Sequence, residues 1–159
     1  MDEDGVSLAF YRNSFLQPLE NYQFGQTQFS SLPIDAIKAL KGHQDAAPIV
    51  VLYHQSVIGF LILEKLPQQS IYGVYNDALL FRTFSLDINY RGKGLSKIVM
   101  NALIPFVKEN FTDKTHIVLT VNDANKTAIN LYKSMGYSDT MRTFIGKKGK
   151  QLVFEKYIS

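Results

Sequence analysis

The sequence predicts an α/β (α+β) fold: one mixed central sheet of about six to seven strands, flanked by helices. Three observations carry that reading. Apolar, β-branched runs of strand length recur along the chain, three segments space their apolar residues as helices do, and glycine- or proline-bearing loops separate them. A chain of 159 residues, 46% hydrophobic and 19% charged, is long enough to bury one core and too apolar to be disordered. No repeat, low-complexity tract or linker divides it, so residues 1–159 are read as one domain.

The elements follow in order. "GVSLAFYR" reads as a first strand. In "NSFLQPLENYQFGQTQF", Pro18 and Gly25 argue against one long helix. "SSLPIDAIKAL" starts a helix, with Ser30 or Ser31 as cap, Pro33 in the first turn, and Ile34, Ile37 and Leu40 at helical spacing. "APIVVLYHQSVIGFLILEKL" holds two apolar runs parted by "HQS", a hairpin. "PQQSIYGVYND" is a loop long enough to carry function, and "ALLFRTFSLDI" is a further strand. Leu95, Ile98, Val99, Ala102, Leu103, Phe106 and Val107 trace an amphipathic helix, in which Pro105 removes one backbone donor and predicts a kink or early change of axis. "HIVLTV" is a short buried strand. In "NDANKTAINLYKSMGY", Ala128, Leu131, Tyr132 and Met135 share a helical face, and Gly136 ends the helix. "SDTMRTFIGKKGKQLVFEKYI" closes as a hairpin around a solvated Gly-Lys-Lys-Gly turn.

Composition narrows the function. Lys plus Arg total 17 against 14 Asp plus Glu, and a net charge of +3 is too mild to indicate nucleic-acid binding. A pI near 9.0 suits an enzyme that holds a polyanionic cofactor. The absence of cysteine excludes disulfides, zinc–thiolate sites and a cysteine nucleophile, and His43, His54 and His116 are too far apart in sequence to suggest a metal site. "MDEDGVSLAF" opens with acidic residues, unlike a secretory signal, and the longest apolar run, Ile58–Leu63, is strand-sized. A cytoplasmic protein without membrane or nucleic-acid partners is the expectation.

"YRGKGLSKIV", residues 90–99, joins a strand to a helix and is the segment richest in chemical meaning. Free N–H groups in a first helical turn, reinforced by the helix dipole, make an anion site. Gly92 and Gly94 let backbone approach a phosphate, while Arg91, Lys93 and Lys97 surround it with positive charge. The segment is neither a Walker loop nor a dinucleotide fingerprint, and by itself it reads equally well as a basic turn.

A second motif changes that balance. With "RGKGLS" (Arg91–Ser96) followed about thirty residues later by "NKTAINLYKSMGY", the chain resembles the GNAT superfamily of acyl-CoA-dependent N-acetyltransferases. The family's pattern is [RQ]-x-x-G-x-[GA] between its fourth strand and third helix, then Asn, Ala, Tyr, Gly and an aromatic; here these are Asn125, Ala128, Tyr132, Gly136 and Tyr137. Ser96 stands where the family has Gly or Ala. The resemblance spans Ile49 to Glu155 and implies the GNAT fold, with its sheet splayed between strands four and five.

It also implies roles. The pyrophosphate of coenzyme A would rest on the amides of Gly92, Lys93, Gly94, Leu95, Ser96 and Lys97, next to Arg91. The pantetheine arm would run along the fourth strand at Phe84, Ser85 and Leu86, where an ordinary buried strand is the alternative. Asn125 is either a pantetheine contact or a helix N-cap, and the two are compatible. Tyr132 is either the general acid that reprotonates the departing thiolate or a core tyrosine on an apolar helix face. The backbone N–H of Leu86 would polarise the thioester carbonyl. The family's usual strand-four Glu is missing, leaving Asp87, Glu64 or a water relay past Thr83 and Ser85 to take the amine's proton.

The acceptor would be a primary amine of a small molecule, amino acid or peptide, with Tyr22, Phe24, Tyr72 and Tyr75 as an aromatic wall or simply as core closure. A monomer or homodimer is expected. The rival implied by the missing Glu and by Ser96 is a GNAT-fold module that binds or senses acyl-CoA without turnover.

Overall fold

The computed structural model of the chain describes residues 5–22 and 32–159. Strand β1 (Val6–Phe10) leads through a 3-10 turn (Asn13–Phe15) into the short helix α1 (Leu16–Glu20). Helix α2 (Pro33–Ala39) precedes a hairpin of β2 (Ala46–Tyr53) and β3 (Ser56–Lys65). A small hairpin, β4 (Gln69–Ser70) with β5 (Gly73–Val74), stands before the long strand β6 (Ala78–Leu86). A second 3-10 turn (Ile88–Tyr90) joins β6 to helix α3 (Leu95–Asn110), and β7 (His116–Asn122), α4 (Lys126–Ser134), β8 (Ser138–Gly146) and β9 (Gly149–Tyr157) complete the chain.

Local chemistry accounts for the boundaries, with some departures from expectation. The N-cap of α2 is Leu32 rather than a serine; Ser30 and Ser31 lie outside the described residues, as does Phe24. Helix α3 runs through Pro105 to Asn110, so the proline does not terminate it. The loop before β6 is not structureless, because β4 and β5 pair within it. The β2–β3 turn is only His54–Gln55, both at positive φ (48° and 76°), the conformation of a two-residue hairpin that usually selects Asn-Gly.

The seven strands of the main sheet lie in the order β1-β2-β3-β6-β7-β9-β8. The pair β6–β7 is parallel, and its neighbours on either side pair antiparallel. One face carries α3 and α4 over the main core, which includes Leu61, Phe81, Val99, Leu103, Leu119 and Phe154. On the opposite face, α1 and α2 cover β2 and β3 around Phe60 and Ile62. The remainder of that face, at Leu80, Val118 and Val153, is closed by Tyr72, Tyr75 and Phe144.

Two irregularities position the site. Against β3, Ile62 pairs with Arg82 but Phe60 with Ser85, so β6 holds one residue more than its partner, a bulge with Thr83 at φ 59°. Alternation changes parity there: Phe81 and Phe84 both face the main core, with ring centroids 5.6 Å apart. Gly59 permits the close approach opposite the end of β6, since a Cβ there would lie 2.9 Å from the Ser85 carbonyl oxygen and 2.8 Å from a Leu86 methyl. The second irregularity is a parting of strands. β6 and β7 pair only from Ala78↔His116 to Phe81↔Leu119, although β6 continues to Leu86 and β7 to Asn122. The expected splay is present.

Candidate active site

Beyond Phe81, the edge of β6 facing β7 has lost its partner strand. Asp87 N–H donates to the Ile58 carbonyl at 2.6 Å, which turns the backbone groups of the odd-numbered residues here toward β3. Those of Phe84 and Leu86 therefore face the parting. Ser85, expected beside them, is turned away: it pairs with Phe60, and its Oγ accepts from Tyr22 Oη at 2.9 Å. The bulge sets this parity, and alternation in the sequence does not reveal it. The parting opens a cleft of about 390 Å³, lined on its strands by Arg82, Thr83, Phe84 and Thr120 and at its helical end by Asn125 and Tyr132.

A second cavity, of about 460 Å³, adjoins along β6, where Leu86 meets Gly92, Gly94, Ser96 and Lys97. Gly92 and Gly94 both have left-handed backbone (φ 72° and 76°), a conformation that L side chains rarely adopt. A Cβ at either would meet nothing within 4 Å, so conformation rather than crowding selects glycine, and the turn faces open space. Gly94 is the N-cap of α3, with no side-chain cap and no acidic residue in the first turn. The free amides of a sixteen-residue helix thus look into the cavity. Arg91 does not point its Nε at this seat; the group donates to the Leu86 carbonyl at 3.0 Å and clamps the end of β6. Lys93 Nζ lies 5.6 Å over the Tyr90 ring. An anion seat opening onto an unpaired strand edge fits the pyrophosphate and extended amide-bearing arm of coenzyme A.

Tyr132 occupies the inner end of the cleft. It is 8% exposed, packs edge-on against Phe81 and Tyr137, and burial pushes its phenol up from 10.0 to about 12. Asn125 caps α4, its Oδ1 accepting from Ala128 N–H at 3.2 Å, and lines the cleft as well. Thus the two readings of Asn125 are geometrically compatible.

Both candidate bases have other partners. Glu64 Oε1 takes two contacts from Arg82, Nη2 at 2.9 Å and Nε at 3.0 Å. Asp87, 8% exposed, accepts from Asn89 N–H at 2.9 Å and Asn89 Nδ2 at 3.0 Å, capping the 3-10 turn. The expected aromatic wall is dispersed. Tyr22 reaches Ser85, and burial raises its phenol. Tyr72 packs edge-on against Phe144 of the cleft, and burial followed by the charge of Glu64 raises it too. Tyr75 donates to Glu155 in a separate cavity with His116 and Arg142.

Several cleft residues escaped the sequence reading: Asn122, Phe144, Lys147, Lys148 and Gln151. The Lys147–Lys148 turn is exposed, as a solvated turn should be, yet it borders the cleft. Asn122 holds it there, its Nδ2 donating to the Lys148 carbonyl at 2.6 Å and its Oδ1 accepting from Ala124 N–H at 2.9 Å. A polar residue ending the apolar run of β7 was the available signal.

A family model described as "Acetyltransferase (GNAT) family" matches residues 10–137. The chain belongs to this family. Membership makes this GNAT protein an acetyltransferase. It is 32% identical over 157 residues to the uncharacterized N-acetyltransferase YbbJ of Bacillus subtilis, covering 96% of this chain and 98% of YbbJ. Its fold is similar to that of AAC(6')-Ib in complex with paromomycin and acetyl-CoA, with TM-score 0.76 and 15% identity over 97% of this chain and 94% of that one. It is also similar to spermidine N-acetyltransferase of Vibrio cholerae in complex with CoA and spermine, with TM-score 0.70 and 15% identity over 97% and 96% of the two chains. Among the described residues, no helix of this GNAT chain is long and apolar enough to cross a membrane.

Proposed function

We propose that this GNAT protein transfers the acetyl group of acetyl-CoA to a primary amine of a small molecule, amino acid or peptide, by direct attack of the neutral amine. The observation that carries the proposal is the parting of β6 from β7, with an uncapped glycine-bearing helix start at one end and Tyr132 at the other. When bound, the cofactor supplies an activated thioester carbonyl and a sulfur leaving group.

The amides from Gly92 to Lys97 hold the pyrophosphate, with Lys93 and Lys97 adding charge around it. The backbone of Phe84 and Leu86 orients the pantetheine arm along the free edge of β6, and Leu86 N–H polarises the reacting carbonyl. Asn125 borders the same path while capping α4. Tyr132 Oη would give its proton to the departing thiolate and regain one from solvent in the cleft, and burial keeps that oxygen protonated between turnovers, so it serves as donor and not as base. With Glu64 held by Arg82 and Asp87 by Asn89, neither carboxylate is assigned the amine's proton, which leaves to solvent past Thr83.

Calorimetry with acetyl-CoA, coupled to thiol release over an amine panel, tests the reading. Binding accompanied by amine-dependent release is expected. Binding without release on any amine would instead favour a non-catalytic acyl-CoA-binding module, and failure to bind would remove the seat at Gly92–Lys97.

A further inference from the structure

We infer that Arg91 is a positioning residue for acetyl transfer, holding the Leu86 peptide through its Nε–H, and is not a ligand of the cofactor's phosphates. This deepens the acetyltransferase reading and rests on it. In the sequence Arg91 stands beside Gly92 at the start of the anion seat, where its charge would be expected to meet a phosphate. The structure turns the side chain elsewhere. Its neighbours Tyr90 and Gly92 line the glycine-turn cavity, yet Arg91 lines neither that cavity nor the cleft. Its Nε donates to the Leu86 carbonyl oxygen at 3.0 Å, five residues back along the chain. Its charge also reaches the Tyr22 phenol, a group governed first by burial and bonded to Ser85.

The Leu86 carbonyl lies on the edge of β6 that has lost its partner strand, so no ladder bond serves it there. Arg91 supplies the donor. The planar peptide unit joining Leu86 to Asp87 is then held from both sides: its N–H donates to Ile58 at 2.6 Å and its oxygen accepts from Arg91. Pinning that unit restrains the one before it, whose N–H is the Leu86 donor assigned to the thioester carbonyl. An unpaired carbonyl oxygen at this place would also repel the negative charge that develops on the reacting oxygen, and an N–H donor offsets that repulsion. What the reaction needs from residue 91 is therefore a donor at the place of Nε. Glutamine carries its amide nitrogen the same number of bonds from Cα as arginine carries Nε. Lysine has a methylene at that place, with its charge one atom farther out.

The test compares the full wild-type chain with Arg91→Gln, which keeps the donor without the charge, and Arg91→Lys, which keeps the charge without the donor. Two acetyl donors are used: acetyl-CoA, and S-acetylpantetheine, which has the thioester arm and no phosphate. The acceptor is the fastest of tyramine, spermidine and lysine. Arg91→Gln should keep kcat and calorimetric affinity for coenzyme A within about threefold of wild type. Arg91→Lys should keep the affinity but lower kcat about tenfold or more, the scale of a small misplacement, with the same proportional loss in kcat/KM on S-acetylpantetheine. Hydrogen exchange of the Asp87 amide, read by NMR without turnover, should quicken about tenfold in the lysine variant and stay unchanged in the glutamine variant. A phosphate ligand would give the reverse order: affinity for coenzyme A lost in Arg91→Gln, kept in Arg91→Lys, and S-acetylpantetheine rates unchanged in both. That pattern, or equal Asp87 exchange in all three chains, would overturn the inference. Failure of the wild-type chain to bind coenzyme A would instead sink the acetyltransferase reading, while Asp87 exchange would still judge the Arg91 bond.

Discussion

Tyr132 and Tyr137 lie next to each other with ring centroids 6.1 Å apart, yet their hydroxyls have different prospects. Tyr132 borders the cleft, whereas Tyr137 Oη is buried without a hydrogen-bond partner among the described residues. Removing the first hydroxyl should cost catalysis: Tyr132→Phe should lower kcat by about 10²-fold or more while the calorimetric Kd for coenzyme A shifts by less than about threefold. An unchanged kcat would strip Tyr132 of the acid role. Removing the second should help the fold, because a buried unpaired hydroxyl forfeits its hydration; Tyr137→Phe should raise the unfolding free energy by about 1 kcal/mol in urea titrations. A loss of stability would mean that the hydroxyl has a partner. At this scale the sequence was legible where a residue sits in a local motif, as Tyr132 and Asn125 do. It was not legible for Tyr75, whose partner Glu155 is eighty positions away.

At the scale of elements, the seat and the strand edge have different origins. The glycine turn is local: two left-handed residues lead into a helix, and the pattern can be read within ten residues of "YRGKGLSKIV". Two substitutions separate its conformational and electrostatic contributions. Gly94→Ala places a Cβ at φ 76° in open space and should cost about 1 kcal/mol of stability with little direct effect on the anion. Gly94→Asp adds a carboxylate at the positive end of α3 and should weaken coenzyme A binding at least about tenfold more than Gly94→Ala does, by calorimetry. Equal affinities for the two variants would mean that the phosphates lie elsewhere. The strand edge, by contrast, depends on a bulge at Thr83 and on where β7 stops pairing, both properties of pairs of strands.

For the whole molecule, buried phenols set a limit at high pH. Burial raises the phenols of Tyr22, Tyr75, Tyr132 and Tyr137, so the folded chain holds these protons more tightly than the unfolded chain does. The sign follows from that difference: the stabilisation is fully present below the unfolded value near pH 10 and is lost as pH climbs toward the folded values, about 12 for Tyr132. Unfolding free energies should therefore fall between about pH 10 and pH 12, with tyrosinate absorbance from these residues appearing as the fold is lost. Titration of all nine tyrosines near pH 10 in a folded chain would contradict the burial.

The sequence by itself determined the α/β class, the order of the main elements apart from α1 and the β4–β5 hairpin, the glycine turn and the two motifs of the family, because each is written in neighbouring residues. Spacing, turn chemistry and helix capping act over a few positions and survive reading along a line. Only the tertiary structure decided which side of β6 faces the cleft, because one extra residue at the bulge inverts every side chain and amide after it. It likewise committed Glu64 to Arg82 and brought the lysine turn, more than sixty residues downstream of Thr83, to the cleft wall. Those outcomes depend on which strands meet and where they part, and that is settled by packing of the whole sheet.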